Sequence, residues 1–455
     1  MKNIFRNKWA TATLIGVVGT IALNLLEVSL KKYELMGVYC VRLDSESLMH
    51  TASIEDLRDA PLDTLMNIHI QPPMLDTIRA LIILALPDTE ATPHRDSLGL
   101  LLRLDRATFL LWSVLYGLMG SIVFLWLSDL LPQWCAAVMA LAFLAHPAML
   151  LFASFPDGTF LSAFLILLTY YLLWRIRNNS RGGPVVFFAV GVAALFLTRS
   201  IFQLPAVFLF AASLALLKAP RRSIAVYLLI TVTITGLYLG KQYHKFGIFS
   251  TSSFSGLNLA RSVSENPGHY MDVYWNYLVE QNGEIQYDGS LPNTLRREQK
   301  IVDVPNFNNI SYLTLNKELL GEYLHTLSTT PVRKLADIYL GNAAIYFKPS
   351  SGYTPDLLVS VLPWRAVYDL GFSYPVFVAL LAVSIAIALF RLRPGETGAT
   401  AALALPGLFI FLVSVLCDRG ENMRFKFFLE PVFFVFIVSQ FSAAARHVYR
   451  KVVRP

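Results

Sequence analysis

Charge is scarce in this 455-residue chain. Asp, Glu, Lys and Arg make up 15% of it, against about 25% in an ordinary soluble domain. Cysteine is scarcer still: there are three, Cys40, Cys135 and Cys417, with no CxxC and no Cys/His cluster, which argues against a zinc module. Cys135 lies in an apolar run and reads as a small core residue. Cys40 and Cys417 both fall near outer helix ends, where a disulfide and two free thiols are both open. Nucleotide-binding and hydrolase signatures are missing as well. No GxxxxGK[ST], kinase set, HExxH or GxSxG occurs, which disfavours an ATP-driven pump. The net charge is +7, yet no long basic stripe interleaved with aromatics is present to track a nucleic acid. No internal repeat or low-complexity linker interrupts the chain.

What the chain does have is 55% hydrophobic and 13% aromatic residues, laid out in long runs. A bilayer core needs roughly 20 apolar residues per helix, and runs of about that size recur ten times. They start near Trp9, Thr108, Trp134, Thr159, Val185, Ile201, Ser223, Leu370, Ala399 and Phe427. The first follows Lys2, Arg6 and Lys8. It is too long for a signal-peptide core and no small-x-small site closes it, so it reads as a retained span.

The links alternate. Arg175/Arg177/Arg181, Lys218/Arg221/Arg222, Arg391/Arg393 and Arg446/Arg450/Lys451/Arg454 mark one set, while Ala153–Gly158 and the Arg199 turn are poor in Lys and Arg. Cytoplasmic loops carry the basic excess, so both termini are expected in the cytoplasm. One inner link, Asp129–Gln133, has no basic residue. The expected fold class is an all-α polytopic membrane protein. Residues 1–240 form an N-terminal membrane module with a first outer loop over 31–107. Residues 241–365 form a large outer segment, and 366–455 the C-terminal membrane helices. A third outer stretch, 418–426, is short. Prolines such as Pro72, Pro73, Pro292, Pro305, Pro331 and Pro349 break the outer segments into short elements. Residues 311–344 have helical apolar spacing, and residues 65–86 read as an amphipathic helix on the membrane surface.

Several residues carry candidate chemistry. Asp44 and Glu46 follow the first span closely, near the lipid edge. A carboxylate shielded from water has a raised pKa suited to a general base, and the same residues also suit helix caps. His69 precedes Gln71-Pro72-Pro73, where it suits either an acid/base or anion-binding role or a structural one. Arg424 and Lys426 stand beside Phe425, Phe427 and Phe428 at an outer helix mouth. There they suit a lipid phosphate or plain interfacial anchoring. Arg199 stands between two short apolar helices; a charge at membrane depth is costly and tends to be functional, while helices this short also let it reach the outer surface. In the large outer segment, Arg261, His269 and His325 are further candidates.

An acidic residue soon after the first span, then His69-Ile70-Gln71-Pro72-Pro73, then many spans, resembles the GT-C glycosyltransferases. Leu102-Arg103-Leu104-Asp105-Arg106 looks like the family's entry to the second span. Glu421-Asn422-Met423-Arg424-Phe425 with Glu430-Pro431 is similar to the ending of many bacterial members. The chain departs from many members in its smaller number of spans and in a large outer segment placed late in the chain. The resemblance implies a GT-C fold in a bacterial inner membrane with a periplasmic active site. It implies a polyprenyl-phosphate-linked sugar as donor and a glycan, lipid or protein as acceptor. Asp44, or Glu46 in its place, becomes the base of an inverting displacement. Arg424, with Arg199, Lys426 and His69, becomes the set that holds the donor phosphate. No cofactor is required by this reading, and a divalent metal is compatible with it. The alternatives are a lipid-linked glycan polymerase or ligase relying on Arg261, His269 and His325, and a lipid or sugar transporter.

Overall fold

A computed structural model describes residues 7–35, 45–87, 96–155, 157–178, 183–280, 287–353, 362, 364–373, 375–390 and 397–453. Asp44 and Cys40 lie outside the described residues. Among the described residues the chain is helical throughout, with one isolated bridge, Gln299 to Pro305, and no strand. Five helices are long and apolar enough to cross a membrane: Lys8–Glu27, Ser97–Leu127, Gly158–Asn178, Arg221–Phe246 and Asn422–His447. The number rises to seven if two bent pairs are each one span. Three further apolar helices, Pro184–Phe196, Leu204–Leu216 and Ala401–Cys417, are shorter. All ten apolar runs are therefore helical, but length alone qualifies five to seven of them as spans.

The two bends have visible local causes. Gln133–Leu144 meets Pro147–Ala153 at 59°. Pro147 has no N–H to continue the ladder, and His146 caps the second piece, its Nδ1 accepting from the Ala148 N–H at 3.0 Å. Arg365–Phe372 meets Val376–Phe390 at 54°, just after Ser373 and Pro375.

Between lipid-embedded helices there is no hydrophobic driving force, so close backbone approach and interhelical hydrogen bonds do the packing. The first helix lies on Ser97–Leu127 in this way. A Cβ at Gly117 would sit 2.2 Å from the Gly16 carbonyl oxygen. Ser121 Oγ donates to the Ala12 carbonyl at 2.7 Å and Thr20 Oγ1 to that of Ser113 at 3.1 Å. At one end of the bundle Lys8 pairs with Asp129, and Arg446 donates to the adjacent Leu130 carbonyl. The start of the first helix and the end of the last thus share one end of the bundle, at the link that carried no basic residue of its own.

The segments on the opposite end fold as one layer. Short helices Ile54–Asp59, Pro61–Asn67 and Met74–Ala85 pack on one another and on the start of Ser97–Leu127; Ser255–Ser262, Pro267–Glu280 and Ser311–Thr329 pack around Phe307 and Ile70, the loop residue that links the two groups; and Val332–Tyr346 lies on Thr397–Cys417 and Asn422–Val453. Residues 65–86 are two elements broken at 68–73 rather than one surface helix; Asp76 and Arg79 turn into the protein while Leu81 and Leu84 stay exposed. Pro331 likewise splits 311–344 into two helices. Arg297 ties the halves of the layer together through Glu55 at 2.7 Å and Asp56 at 3.0 Å.

Candidate functional site

The sequence singles out Arg199 and Arg424 from opposite halves of the chain, and the fold brings them together. Arg199 sits on the tight turn after Gly183–Phe196, and Arg424 on the first turn of Asn422–Val453. Both reach Asp157, the last described residue before the helix Gly158–Asn178, whose side chain is fully buried. Asp157 Oδ2 accepts from Arg199 Nη2 at 2.8 Å and from Arg424 Nη2. Thr159 completes the knot: its N–H donates to Asp157 Oδ1 at 2.8 Å, and its hydroxyl oxygen accepts from Arg424 Nε at 2.6 Å and from Arg199 Nη2. Arg424 Nη1 further donates to Glu421 Oε2 at 2.9 Å and to the Tyr353 hydroxyl at 2.8 Å.

Every guanidinium nitrogen of Arg424 thus has a partner, which is not so of Arg199. Its Nε is buried without a hydrogen-bond partner. Arg79, Arg103, Arg261 and Arg297 share an unpartnered Nε; what sets Arg199 apart is that its orphan donor lies beside a second arginine on the same buried carboxylate. The turn carrying Arg199 is pressed against the layer of short helices: the Met74 N–H donates to the Leu197 carbonyl at 2.8 Å, and Gln203 Nε2 to Thr251 Oγ1 at 2.7 Å. His50, from the segment that follows the first helix, feels the charge of Arg199. Its Nε2 is buried and also unpartnered. Burial, followed by the charges of Arg199, Lys300 and Arg79, holds its pKa well below the ordinary value.

Close by, Arg261 donates through Nη2 to the Arg419 carbonyl at 2.9 Å and lies 3.7 Å from Asp418. Gly420, at φ +109°, allows the sharp turn that brings Arg419 there; a Cβ on it would come within 2.9 Å of Arg261 Nη2. His269 and His325 are exposed, on the layer of short helices.

Three other candidates are consumed by the fold. Glu46 is fully buried; both its oxygens accept from the Ile54 N–H at 3.1 Å, capping Ile54–Asp59, and Oε2 also accepts from Arg79 Nη2 at 2.8 Å. Lys426 Nζ donates to the carbonyls of Lys348 (2.7 Å) and Phe372 and lies 3.3 Å from Glu430 Oε1. An ammonium has three donors, so none is left for a phosphate. His69 joins the two parts of the layer of short helices. Its Nε2 meets the Asn308 carbonyl at 3.0 Å and its Nδ1 the Ser253 hydroxyl at 2.8 Å. A carbonyl only accepts, so Nε2 carries the proton and Nδ1 accepts from Ser253. Cys417 is a free thiol, and Cys40, the other member of the pair considered above, lies outside the described residues.

Burial lowers the His69 pKa to about 3. Between that value and the ordinary one near 6.5 the unfolded chain binds a proton that the folded chain refuses. Stability contributed by this joint is therefore complete above about pH 6.5 and falls as the pH drops, by at most about 1.4 kcal/mol per pH unit. Hydrogen exchange at the Ser253 amide, which donates to the His69 carbonyl at 2.8 Å, is expected to speed up between pH 7 and pH 5 beyond the intrinsic trend. In His69→Gln that excess should vanish.

No protein-family model matches the chain, and no curated protein matches it. Among the described residues no three His, Cys, Asp or Glu side chains are grouped to hold a metal ion. The residues that sequence reasoning passed over are Asp157, Thr159, His50 and Tyr353. Asp157 had one readable signal, as the lone acidic residue in a short link between two apolar runs.

Proposed function

We propose that this chain is a membrane glycosyltransferase of GT-C type, with about ten spans and its site on the periplasmic face of a bacterial inner membrane. It moves a sugar from a polyprenyl-phosphate carrier to a glycan, lipid or protein acceptor. The observation that carries this reading is the convergence of Arg199 and Arg424 on Asp157 under the outer layer, with Arg199 Nε unpartnered. A guanidinium matches phosphate geometry, and Asp157 fixes both forks before substrate arrives. The carrier phosphate leaves with developing negative charge, which Arg199 stabilises from a preset position while Arg424 holds the carboxylate in register. Removing one preorganised donor of this type costs about 10²–10³ in rate. The base role goes to Asp44, because the Glu46 carboxylate is occupied as a cap and ion-pair partner. Ser45, next to Asp44, is anchored by its N–H to Asp105 Oδ1 at 3.3 Å.

A transport reading has its own support in the two bent apolar pairs and in His146, Glu430 and Lys426 buried beside one of them, since broken helices and buried charges are the marks of transporters. One assay separates the two. Purified protein in lipid is given a panel of radiolabelled polyprenyl-phosphate sugars. Release of polyprenyl phosphate is expected from the wild type, reduced about 10²-fold or more in Arg199→Lys and abolished in Asp44→Asn. Release by Asp44→Asn at the wild-type rate removes Asp44 as base. No release from any donor, with the carrier crossing the bilayer instead, replaces the transferase by a transporter.

A further inference from the structure

The helix Arg221–Phe246 has 26 residues and, at 1.5 Å per residue, is about 39 Å long. A hydrocarbon core is about 30 Å thick, so with Arg221 and Arg222 at one surface the last turns stand at the opposite headgroup level. Those turns carry Lys241, His244 and Lys245. A groove of about 560 Å³ runs down this end of the helix. Gly236 and Gly240 form its floor, Leu237 and Met66 flank it, the three basic side chains stand at its top, and no carboxylate lines it. A Cβ placed on either glycine meets no atom within 4 Å, so none of the described residues packs against that strip.

Two of the three basic groups are held in place, and His244 is exposed beside them. Lys241 Nζ donates to the Ile68 carbonyl at 2.7 Å and Lys245 Nζ to Asn67 Oδ1 at 3.0 Å. An ammonium carries three donors, so the bond that fixes each one leaves capacity for an anion. A Gly-x-x-x-Gly strip in a membrane helix suits either a second helix or a lipid chain. A second copy of this chain, docked about a two-fold axis, would set one Lys241/His244/Lys245 group against another with no carboxylate in the groove to separate them. A lipid with an anionic head brings the opposite sign to the same place.

The geometry points to a binding groove for a bilayer phospholipid with an anionic headgroup, its phosphate between His244 and Lys245 and an acyl chain along Gly236 and Gly240. This groove is separate from the Asp157 site and does not depend on the transfer reading. Native mass spectrometry of the full chain, with equal phosphatidylglycerol and phosphatidylcholine, tests it. One cation near an anionic lipid surface corresponds to about a fivefold preference. The wild type is expected to retain phosphatidylglycerol at least about fivefold over phosphatidylcholine. The preference should disappear in His244→Gln/Lys245→Gln, and total retention should fall in Gly240→Leu, which fills the groove without touching charge. Both variants are first checked for wild-type elution on size exclusion; if the charge variant misfolds, Gly240→Leu alone decides. Equal retention of the two lipids by the wild type, as plain interfacial anchoring predicts, overturns the proposal. So does a dimer that Gly240→Leu dissociates, or displacement of phosphatidylglycerol by stoichiometric polyprenyl phosphate, which would make the groove the carrier's.

Discussion

Asp157→Ala is expected to destabilise the folded protein by about 3–5 kcal/mol, the range found when one member of a buried ion pair is removed. Arg199 and Arg424 both depend on this carboxylate. Arg424 keeps Glu421, so the larger loss falls on Arg199, which has no other carboxylate among its described ion pairs. That asymmetry makes a sharper test than the single substitution. If the damage comes from an orphaned guanidinium, Asp157→Ala/Arg199→Met should be more stable than Asp157→Ala alone, despite carrying one more change. Thermal unfolding in detergent, followed by tryptophan fluorescence, reads both. Strict additivity of the two substitutions would show that the pair is not coupled. On the proposed transfer reading, activity should be lost in either variant, because both remove the preset geometry that the proposal assigns to the phosphate.

Arg79→Met is expected to cost about 3–5 kcal/mol as well, for the opposite reason. Here a single cation serves two buried carboxylates, Glu46 at 2.8 Å and Asp76 at 2.7 Å, and also donates to the Ala52 carbonyl at 2.6 Å. Arg79 and Glu46 are both fully buried, so removing the guanidinium leaves negative charge with no water to solvate it. The damage should be local. Hydrogen exchange should rise across 45–59 and 74–85, while the long membrane helices keep their protection. Glu46→Gln is a milder companion: the amide oxygen still accepts from the Ile54 N–H, and the loss should be about 1–3 kcal/mol. Transfer by Glu46→Gln should survive in proportion to its folded fraction. A well-folded Glu46→Gln with no transfer would instead restore Glu46 as the base.

These two clusters show how far local pattern carries. That the chain is a helical bundle with many apolar segments follows from composition and from run length, because a bilayer imposes its thickness on any sequence that crosses it. The breaks at Pro147 and Pro331 belong to the same class of information, since a missing N–H acts on its own helix. Arg199 and Arg424 also stand out in one dimension, because a charge beside an apolar run is costly wherever its partner lies.

The partner itself is not local. Nothing near Arg424 in sequence announces Asp157 or Thr159, and only packing of the helix Gly158–Asn178 against Asn422–Val453 brings them within hydrogen-bond reach. The same limit explains why Glu46, His69 and Lys426 read as candidates on paper yet are occupied in the fold. Their donors and acceptors are claimed by Arg79, Asn308, Ser253, Lys348 and Glu430, most of them distant in the chain. A side chain's chemistry is written in its residue type. Whether that chemistry is spent on the fold or left free, as at Arg199 Nε and His50 Nε2, depends on which groups the packed bundle sets within about 3 Å of it.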